Sequence, residues 1–344
     1  MTESIRNPAG RSPSAGLRAL ANKVGAENIG LGLALLGVIA AFGVLAPRFL
    51  TVATFDSVAF QLPELGLLTL AMLMPIISGG LNLAITFTAN ICGLTVAWVL
   101  HANGGPDAGL SAFLIGSVLA ICVGTASGLV MGAVIAYTGA HPILVSLSMM
   151  IFLRGLGEFL TRGGDISGFP EYIQPLGHGR VFGVPIPLLI LLIALGAWQL
   201  LMSRTRLGFN TYMIGSNINA TRYSGIDTKR VLVLIYALSG AMCAIAGIIM
   251  VARFNSVRVG HGESYLLITV LACFLGGVNP FGGFGKVLSV FSALVILQLL
   301  SSGLNLLGAS QHLATAVWGL LLLGVMILRW VSGQLDFLWR RTVG

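Results

Sequence analysis

Five polar side chains interrupt stretches of sequence that are otherwise apolar: Glu64, Asn82, Asn90, Asn279 and Asn305. A polar group inside a bilayer is costly, so it generally faces a water-filled path or hydrogen-bonds to another helix. Amides both donate and accept hydrogen bonds, which suits them to the hydroxyl groups of a neutral solute. Contact with a solute and packing between helices therefore remain open for each of the five.

Other residue types that could do chemistry show no spacing typical of catalysis or metal binding. The cysteines and histidines are dispersed, and they form no convergent nucleophile, base or ligand set. We therefore expect no catalytic residue and no metal site. Arg154 and Glu158 are four residues apart, on one face of a helix, and we expect them to form a structural ion pair. Arg154 could equally contact a docked partner protein.

A polar stretch separates the apolar runs in the middle of the chain, and we call residues 204–230, RTRLGFNTYMIGSNINATRYSGIDTKR, the basic loop. It carries five Arg and Lys residues against one acid, Asp227. Ser216 or Asn217 can cap the start of a helix, and Gly225 suits the left-handed position after its end. The pattern predicts a helix of about two turns between them.

A helix of about two turns is not stable alone in water, so it must rest on a support. One candidate support is the membrane domain of the chain itself, with Ile218 and Tyr223 as interfacial anchors. The other is a soluble partner protein, because a connection that only returned the chain would need few residues.

These features are embedded in a chain of 344 residues, of which 56% are hydrophobic and 9% charged. Soluble domains carry about 25% charged residues, so this composition indicates a membrane protein. Glycines mark breaks at 79–82 and 276–285, which we expect to be packed or to line a pathway. We expect an all-α polytopic fold with about ten transmembrane helices, near 29–46, 58–78, 80–100, 111–136, 142–160, 185–203, 231–252, 264–280, 287–305 and 311–330.

The basic residues indicate the orientation of the chain. They lie mainly in the connections between apolar segments, so the net charge of +8 does not point to nucleic acid. With the N-terminus inside, thirteen Lys and Arg residues fall on the cytoplasmic side and five on the other, with Arg154 inside a span. This bias predicts that both termini are cytoplasmic, with tails at 1–28 and 332–344.

Four stretches resemble the ribose-type sugar permeases of bacterial ABC importers. In the basic loop, IGSNINATRYSGID resembles the family pattern IGxNxxAARxSGI. ISGGLNLAI (77–85) resembles GGIDLS, HPILVSLSMMIFLRGL (141–156) resembles PFIxTLxTMxxxRGL, and LACFLGGVNPFGGFGKVLS (271–289) resembles LGGxSxxGGxG. The order is the same, and the likeness runs from the second predicted span to the end of the chain, far beyond one motif.

The resemblance implies a permease domain at 29–331, in the bacterial inner membrane. Its implied partners are an ATP-binding subunit, an extracellular or periplasmic solute-binding protein, and a second permease, either another copy or a homologue. In that family the helix of the loop docks on the ATPase. The matching residues that would form this coupling element are Gly215, Asn217, Ala220, Arg222, Ser224 and Gly225. Arg222 can alternatively be only part of the topology signal.

The chain lacks the phosphate-binding pattern GxxxxGK[ST], so ATP and Mg²⁺ would be bound by the partner, with no cofactor or enzyme activity on this chain. We expect it to translocate a monosaccharide or similar small neutral solute by alternating access. Asn82 stands where many family members carry Asp, which leaves the solute open. An ion-coupled secondary transporter, with ion ligands in the broken helices, is the alternative.

Overall fold

The computed structural model describes residues 26–310 and 312–327, and most of them are helical. The predicted tails lie outside the described residues, except for 26–28, which begin the first helix. In chain order the described helices are α1 (Ala26–Leu45), α2 (Val52–Ile77), α3 (Ile85–Ala102), α4 (Leu110–Thr138), α5 (Pro142–Thr161), α6 (Gln174–His178), α7 (Ile186–Arg204), α8 (Arg206–Ser216), α9 (Ile218–Tyr223), α10 (Thr228–Phe254), α11 (Tyr265–Leu275), α12 (Val287–Leu306) and α13 (His312–Ile327).

Seven helices in the described part are long and apolar enough to cross a membrane: α2, α3, α4, α5, α7, α10 and α12. Three shorter apolar segments, Gly30–Leu45 of α1, α11 and α13, lie at the other three predicted positions. The prediction of a polytopic helical protein is confirmed, with seven full-length spans where about ten were predicted. α11 is short because it runs into the irregular segment 276–285, as the Gly and Pro content there predicted.

The centre of the fold is formed by α2, α3 and α10, which are apolar around most of their circumference and largely buried. α4 packs closely on α10 through Gly124, Gly128 and Gly132, where a Cβ on Gly128 would overlap the Tyr236 carbonyl oxygen. Small residues at four-residue spacing allow this approach of two backbones. α4, α5 and α7 expose many large apolar side chains, as surfaces that face lipid do.

Four strands of two residues each lie in the connections, and the sequence did not predict them. β1 (Ile166–Ser167) pairs antiparallel with β4 (Ser256–Val257), and β2 (Arg180–Val181) pairs antiparallel with β3 (Val184–Pro185). The first pair joins the connection after α5 to the connection after α10. A further hydrogen bond, from the Phe169 backbone N–H to Asn255 Oδ1 at 3.2 Å, supports the same junction.

The predicted break between the second and third spans is present. α2 ends at Ile77, and Gly79 adopts the left-handed conformation with φ 88°. α3 begins at Ile85 rather than near residue 80, because the intervening residues form a turn in which Asn82 Oδ1 accepts from the Ala84 backbone N–H at 3.1 Å.

Candidate functional site

The basic loop contains the predicted short helix, α9, and before it a second short helix, α8, that the sequence did not predict. Asn217 caps α9 by accepting a hydrogen bond from the Ala220 backbone N–H at 2.9 Å. Ser216, the other candidate cap, is instead the last residue of α8. Gly225 follows α9 with φ 82°, so it occupies the predicted left-handed position.

One face of α9 packs on the chain and the rest is exposed. Thr221 is fully buried, whereas Ala220 and Arg222 are exposed and Tyr223 exposes 92% of its surface. Among the described residues, Arg222 has no acidic partner within ion-pair distance. α9 therefore rests on its own chain through Thr221. It presents a small, a cationic and an aromatic side chain outward.

Gly215, the residue before Ser216, lies against both breaks in the membrane helices. A Cβ on Gly215 would overlap the Ile77 carbonyl oxygen and the Gly283 backbone nitrogen. The Gly283 N–H also donates to the Ile77 carbonyl oxygen at 2.8 Å. The end of α8, the end of α2 and the segment 276–285 thus meet backbone against backbone. We call the four glycines at this contact the glycine junction: Gly79, Gly215, Gly282 and Gly283.

Tyr212 adds a side-chain link to the glycine junction. Its hydroxyl donates to the Gly285 carbonyl oxygen at 2.7 Å. Burial raises the pKa of Tyr212 above its ordinary value, so the phenol remains a protonated donor at neutral pH. Together with Gly215, it fixes α8 to the segment 276–285 at two points one helical turn apart.

Glu64 lies in a buried ion pair. It has no exposed surface, and Arg253 Nη1 of α10 lies 2.9 Å from its Oε1. The Tyr265 hydroxyl of α11 donates to Glu64 Oε2 at 3.3 Å. The carboxylate therefore links three helices. Of the two roles left open for Glu64, these contacts favour packing between helices over contact with a solute.

Asn82 and Asn279 form hydrogen bonds within the two breaks. Asn82 is fully buried, and its Nδ2 donates to Ser239 Oγ at 2.8 Å while its oxygen holds the Ala84 N–H. Asn279 Oδ1 accepts from the Phe281 backbone N–H at 3.1 Å and closes a turn. These contacts favour packing over solute contact for Asn82. Asn279 also lines a cavity of about 620 Å³ beside α1, so both roles stay open for it.

Asn90 and Asn305 are placed differently. Asn90 is buried in α3, and its Nδ2 has no hydrogen-bond partner in the described part of the chain. Asn305 lines a cavity of about 210 Å³ between α2, α11, α12 and α13. We call it the amide cavity, and its polar and aromatic lining residues are Gln61, Tyr265, Gln298, Ser301, Asn305 and Trp318.

The sequence interpretation missed most of the amide cavity. Gln298 Nε2 donates to Gln61 Oε1 at 3.0 Å and links α12 to α2. Both glutamines interrupt apolar runs as the five predicted residues do, so the same criterion would have found them. Trp318 and Tyr265 carried no such signal, because an aromatic residue in an apolar helix is ordinary.

The predicted ion pair between Arg154 and Glu158 in α5 is confirmed. Arg154 Nε lies 2.9 Å from Glu158 Oε1, and its Nη1 lies 3.2 Å from Glu263 Oε1. All three side chains are about half exposed, so the network is a surface feature that joins α5 to the loop before α11.

Comparison with known proteins identifies the family. The sequence profile described as "Branched-chain amino acid transport system / permease component" matches residues 54–328. The chain belongs to this family. It is also 31% identical over 310 residues to the autoinducer 2 import system permease protein LsrD of Salmonella typhi, covering 88% of this chain and 91% of the relative. LsrD of Yersinia enterocolitica is 32% identical over 274 residues, covering 78% and 81%.

No solved structure shows a significant match. The permease family and the apolar spans make the protein a multi-pass protein of the bacterial inner membrane. The resemblance to sugar-type ABC permeases is confirmed, and the protein is a transport subunit rather than an enzyme. Neither comparison names an ion-coupled secondary transporter, the alternative that the sequence left open.

Proposed function

We propose that this permease carries a monosaccharide or similar small neutral solute into the cytoplasm by alternating access, driven by ATP hydrolysis on a separate subunit. The names of the LsrD relatives add autoinducer 2 as a candidate solute. The observation that supports the mechanism is the connection between α9 and the two breaks. An exposed helix that could bind a partner is tied through Gly215 to the ends of buried elements.

In this proposal the residues of α9 have distinct roles at the ATPase. Asn217 and Gly225 fix the two ends of the helix, and the Ser224 hydroxyl donates to the Ala220 carbonyl oxygen at 3.0 Å. Ala220 allows close approach, and Arg222 offers a charge to an acidic rim. Tyr223 adds an aromatic anchor, a residue type enriched at the energetic centres of interfaces.

Gly215 has a different role, because it lies against the chain rather than on the exposed face of α9. ATP binding would move the ATPase pair and the docked α9 with it. Because α8 meets Ile77 and Gly283 without intervening side chains, the movement passes to the ends of α2 and of the segment 276–285. Close-packed contacts of this kind shift between discrete arrangements rather than deform continuously.

The proposed orientation places the basic loop in the cytoplasm, as the distribution of Lys and Arg predicts. A solute-binding protein would deliver the solute at the opposite end. ATP and Mg²⁺ would be held by the ATP-binding subunit, and the second permease of the assembly would be another copy of this chain or a homologue.

Ala220→Trp tests the docking role. Ala220 is exposed, so the bulky side chain should leave folding intact but overpack the contact with the ATPase. In proteoliposomes holding the complete assembly, we expect ATP-driven uptake to fall about tenfold or more, with ATP hydrolysis no longer coupled to it. The matched control is Ala102→Trp, at the exposed end of α3. Equal uptake by the two variants would refute the docking of α9.

A further inference from the structure

We infer that the amide cavity is the solute-binding site of this chain, and that it takes an uncharged polyhydroxyl compound rather than an amino acid. The inference rests on the proposed function. It adds a place, a residue set and a choice between two solute classes, one of which the description of the family itself names.

The amide cavity has suitable size and position. Its volume of about 210 Å³ exceeds the roughly 150 Å³ of an engineered protein cavity that binds benzene, so a five- or six-membered sugar ring fits. Gln61 on its wall precedes Ile77 at the glycine junction by 16 residues of α2, or roughly 24 Å at the rise of an α-helix. The cavity therefore lies toward the end of the membrane domain opposite the basic loop.

The chemistry of the lining fits a neutral, hydroxyl-rich solute. Gln298, Ser301 and Asn305 offer amide and hydroxyl groups that can both donate and accept hydrogen bonds. Trp318, 4% exposed, supplies an aromatic surface for the apolar face of a sugar ring. A few polar groups on a partly apolar wall are typical of small-molecule sites.

The same lining is unsuited to an amino acid. Within the part of the chain that the structure describes, no charged side chain lines the amide cavity. Glu64, which accepts a hydrogen bond from the lining residue Tyr265, is paired with Arg253, so neither charge is free for an ammonium or carboxylate group. A zwitterion would lose its hydration there without gaining an ion partner, which is unfavourable.

A second cavity provides a route of entry. It measures about 260 Å³ and shares Gln61 and Asn305 with the amide cavity. Its other walls include Arg48, Thr51 and Ser57, at and before the start of α2. A solute delivered at the end opposite the basic loop would therefore pass Gln61 and Asn305 on its way to Trp318.

The test uses the permease with its ATP-binding subunit in lipid nanodiscs, without the solute-binding protein, which would itself bind the probes. It follows the tryptophan fluorescence of the permease. Ribose, xylitol and autoinducer 2 are titrated as uncharged polyhydroxyl probes, and leucine as the zwitterion. We expect a saturable change with at least one of the first three and none with leucine. Trp318→Phe should reduce that change, because Trp318 is the tryptophan that lines the amide cavity among the described residues.

A paired substitution tests the amides. Gln61→Leu with Gln298→Leu removes both partners of one hydrogen bond, so neither amide is left unpaired. We expect it to raise the dissociation constant of the responding probe, and the KM of its uptake, about tenfold. The matched control is Gln199→Leu on α7, which does not line the cavity.

Three results would overturn the assignment. They are a probe response unchanged in Trp318→Phe, a KM equal in the paired variant and the Gln199→Leu control, and leucine bound more tightly than every polyhydroxyl probe. Failure of the site is separable from failure of the proposed function. An assembly that imports ribose with an unaltered KM in the paired variant keeps the function and loses the site, whereas one that shows no ATP-driven uptake loses the function.

Discussion

The two ends of α2 are packed in opposite ways. At Ile77 the backbone of α2 contacts the backbones of α8 and of the segment 276–285, with glycine on the facing positions. Near Gln61 the neighbouring helices stand apart, and their side chains leave the amide cavity between them. The contact at Ile77 has no space for an added methyl group, whereas the cavity near Gln61 has space for a sugar ring.

The difference indicates a division of labour along one helix. Where two backbones pack without intervening side chains, the contact cannot be compressed, so movement of one element displaces the other. A cavity lined by hydrogen-bonding side chains can instead be filled and emptied at little structural cost. Pro63 and Pro75 lie inside α2, next to Glu64 and near the glycine junction respectively. Proline removes a helical hydrogen bond, so each end has a place where α2 can bend.

The largest effect is expected from Gly215→Ala, which would disrupt the close backbone contact at the glycine junction. The added methyl group overlaps Ile77 and Gly283 backbone atoms, so the junction must separate. We expect the protein to lose about 3 kcal/mol of stability and its ATP-driven uptake. Thermal unfolding in detergent and uptake in proteoliposomes measure the two effects.

Gly196→Ala on α7 is the matched control, because no atom lies within 4 Å of the added Cβ. In a helix interior this change should be neutral or stabilise by about 0.5–1 kcal/mol. If Gly215→Ala behaved like Gly196→Ala, the glycine junction would not be a close contact in the working protein.

A smaller effect at the cavity end is expected from Glu64→Gln. Arg253 exposes only 16% of its side chain, so removal of the carboxylate charge leaves a buried cation unpaired. Loss of one partner of a fully buried pair costs about 3–5 kcal/mol. Because Arg253 keeps part of its side chain in contact with solvent, we expect a smaller loss of about 2 kcal/mol and a looser cavity wall at Tyr265.

Glu158→Gln removes one acid from the half-exposed network around Arg154, where an ion pair contributes about 1 kcal/mol or less. In thermal unfolding, Glu64→Gln should lose more stability than Glu158→Gln. Equal losses of stability would mean that Glu64 does not clamp the helices around the amide cavity.

Local signals in the sequence predicted the parts of the fold that depend on neighbouring residues. The cap at Asn217, the left-handed Gly225 and the irregular segment 276–285 follow from single residue types and their positions. Span boundaries were less accurate, since the turn after Ile77 depends on Asn82, whose partners include Ser239, distant in sequence.

Contacts between distant segments account for the missed parts of the site. Gly215 matched a family pattern and was assigned to the ATPase contact, but only the fold shows that it lies against Ile77 and Gly283. Its assignment to coupling remains a prediction. The amide cavity needs four helices to converge, and no spacing along the chain records that Gln61 meets Gln298.

Asn82→Ala should have a smaller effect than Glu64→Gln, and it decides whether the break after α2 is a packed contact or part of the solute path. The substitution leaves the buried Ala84 N–H without an acceptor and Ser239 without its donor. Loss of these bonds should cost about 1–2 kcal/mol, measured by thermal unfolding, without changing the KM of uptake. Asn103→Ala, at the exposed end of α3, is the control and should cost less than about 0.5 kcal/mol. A raised KM with normal stability would instead place Asn82 on the solute path, one of the two roles that the sequence left open. The break after α2 would then contribute to solute binding, as the amide cavity does, and not only to packing at the glycine junction.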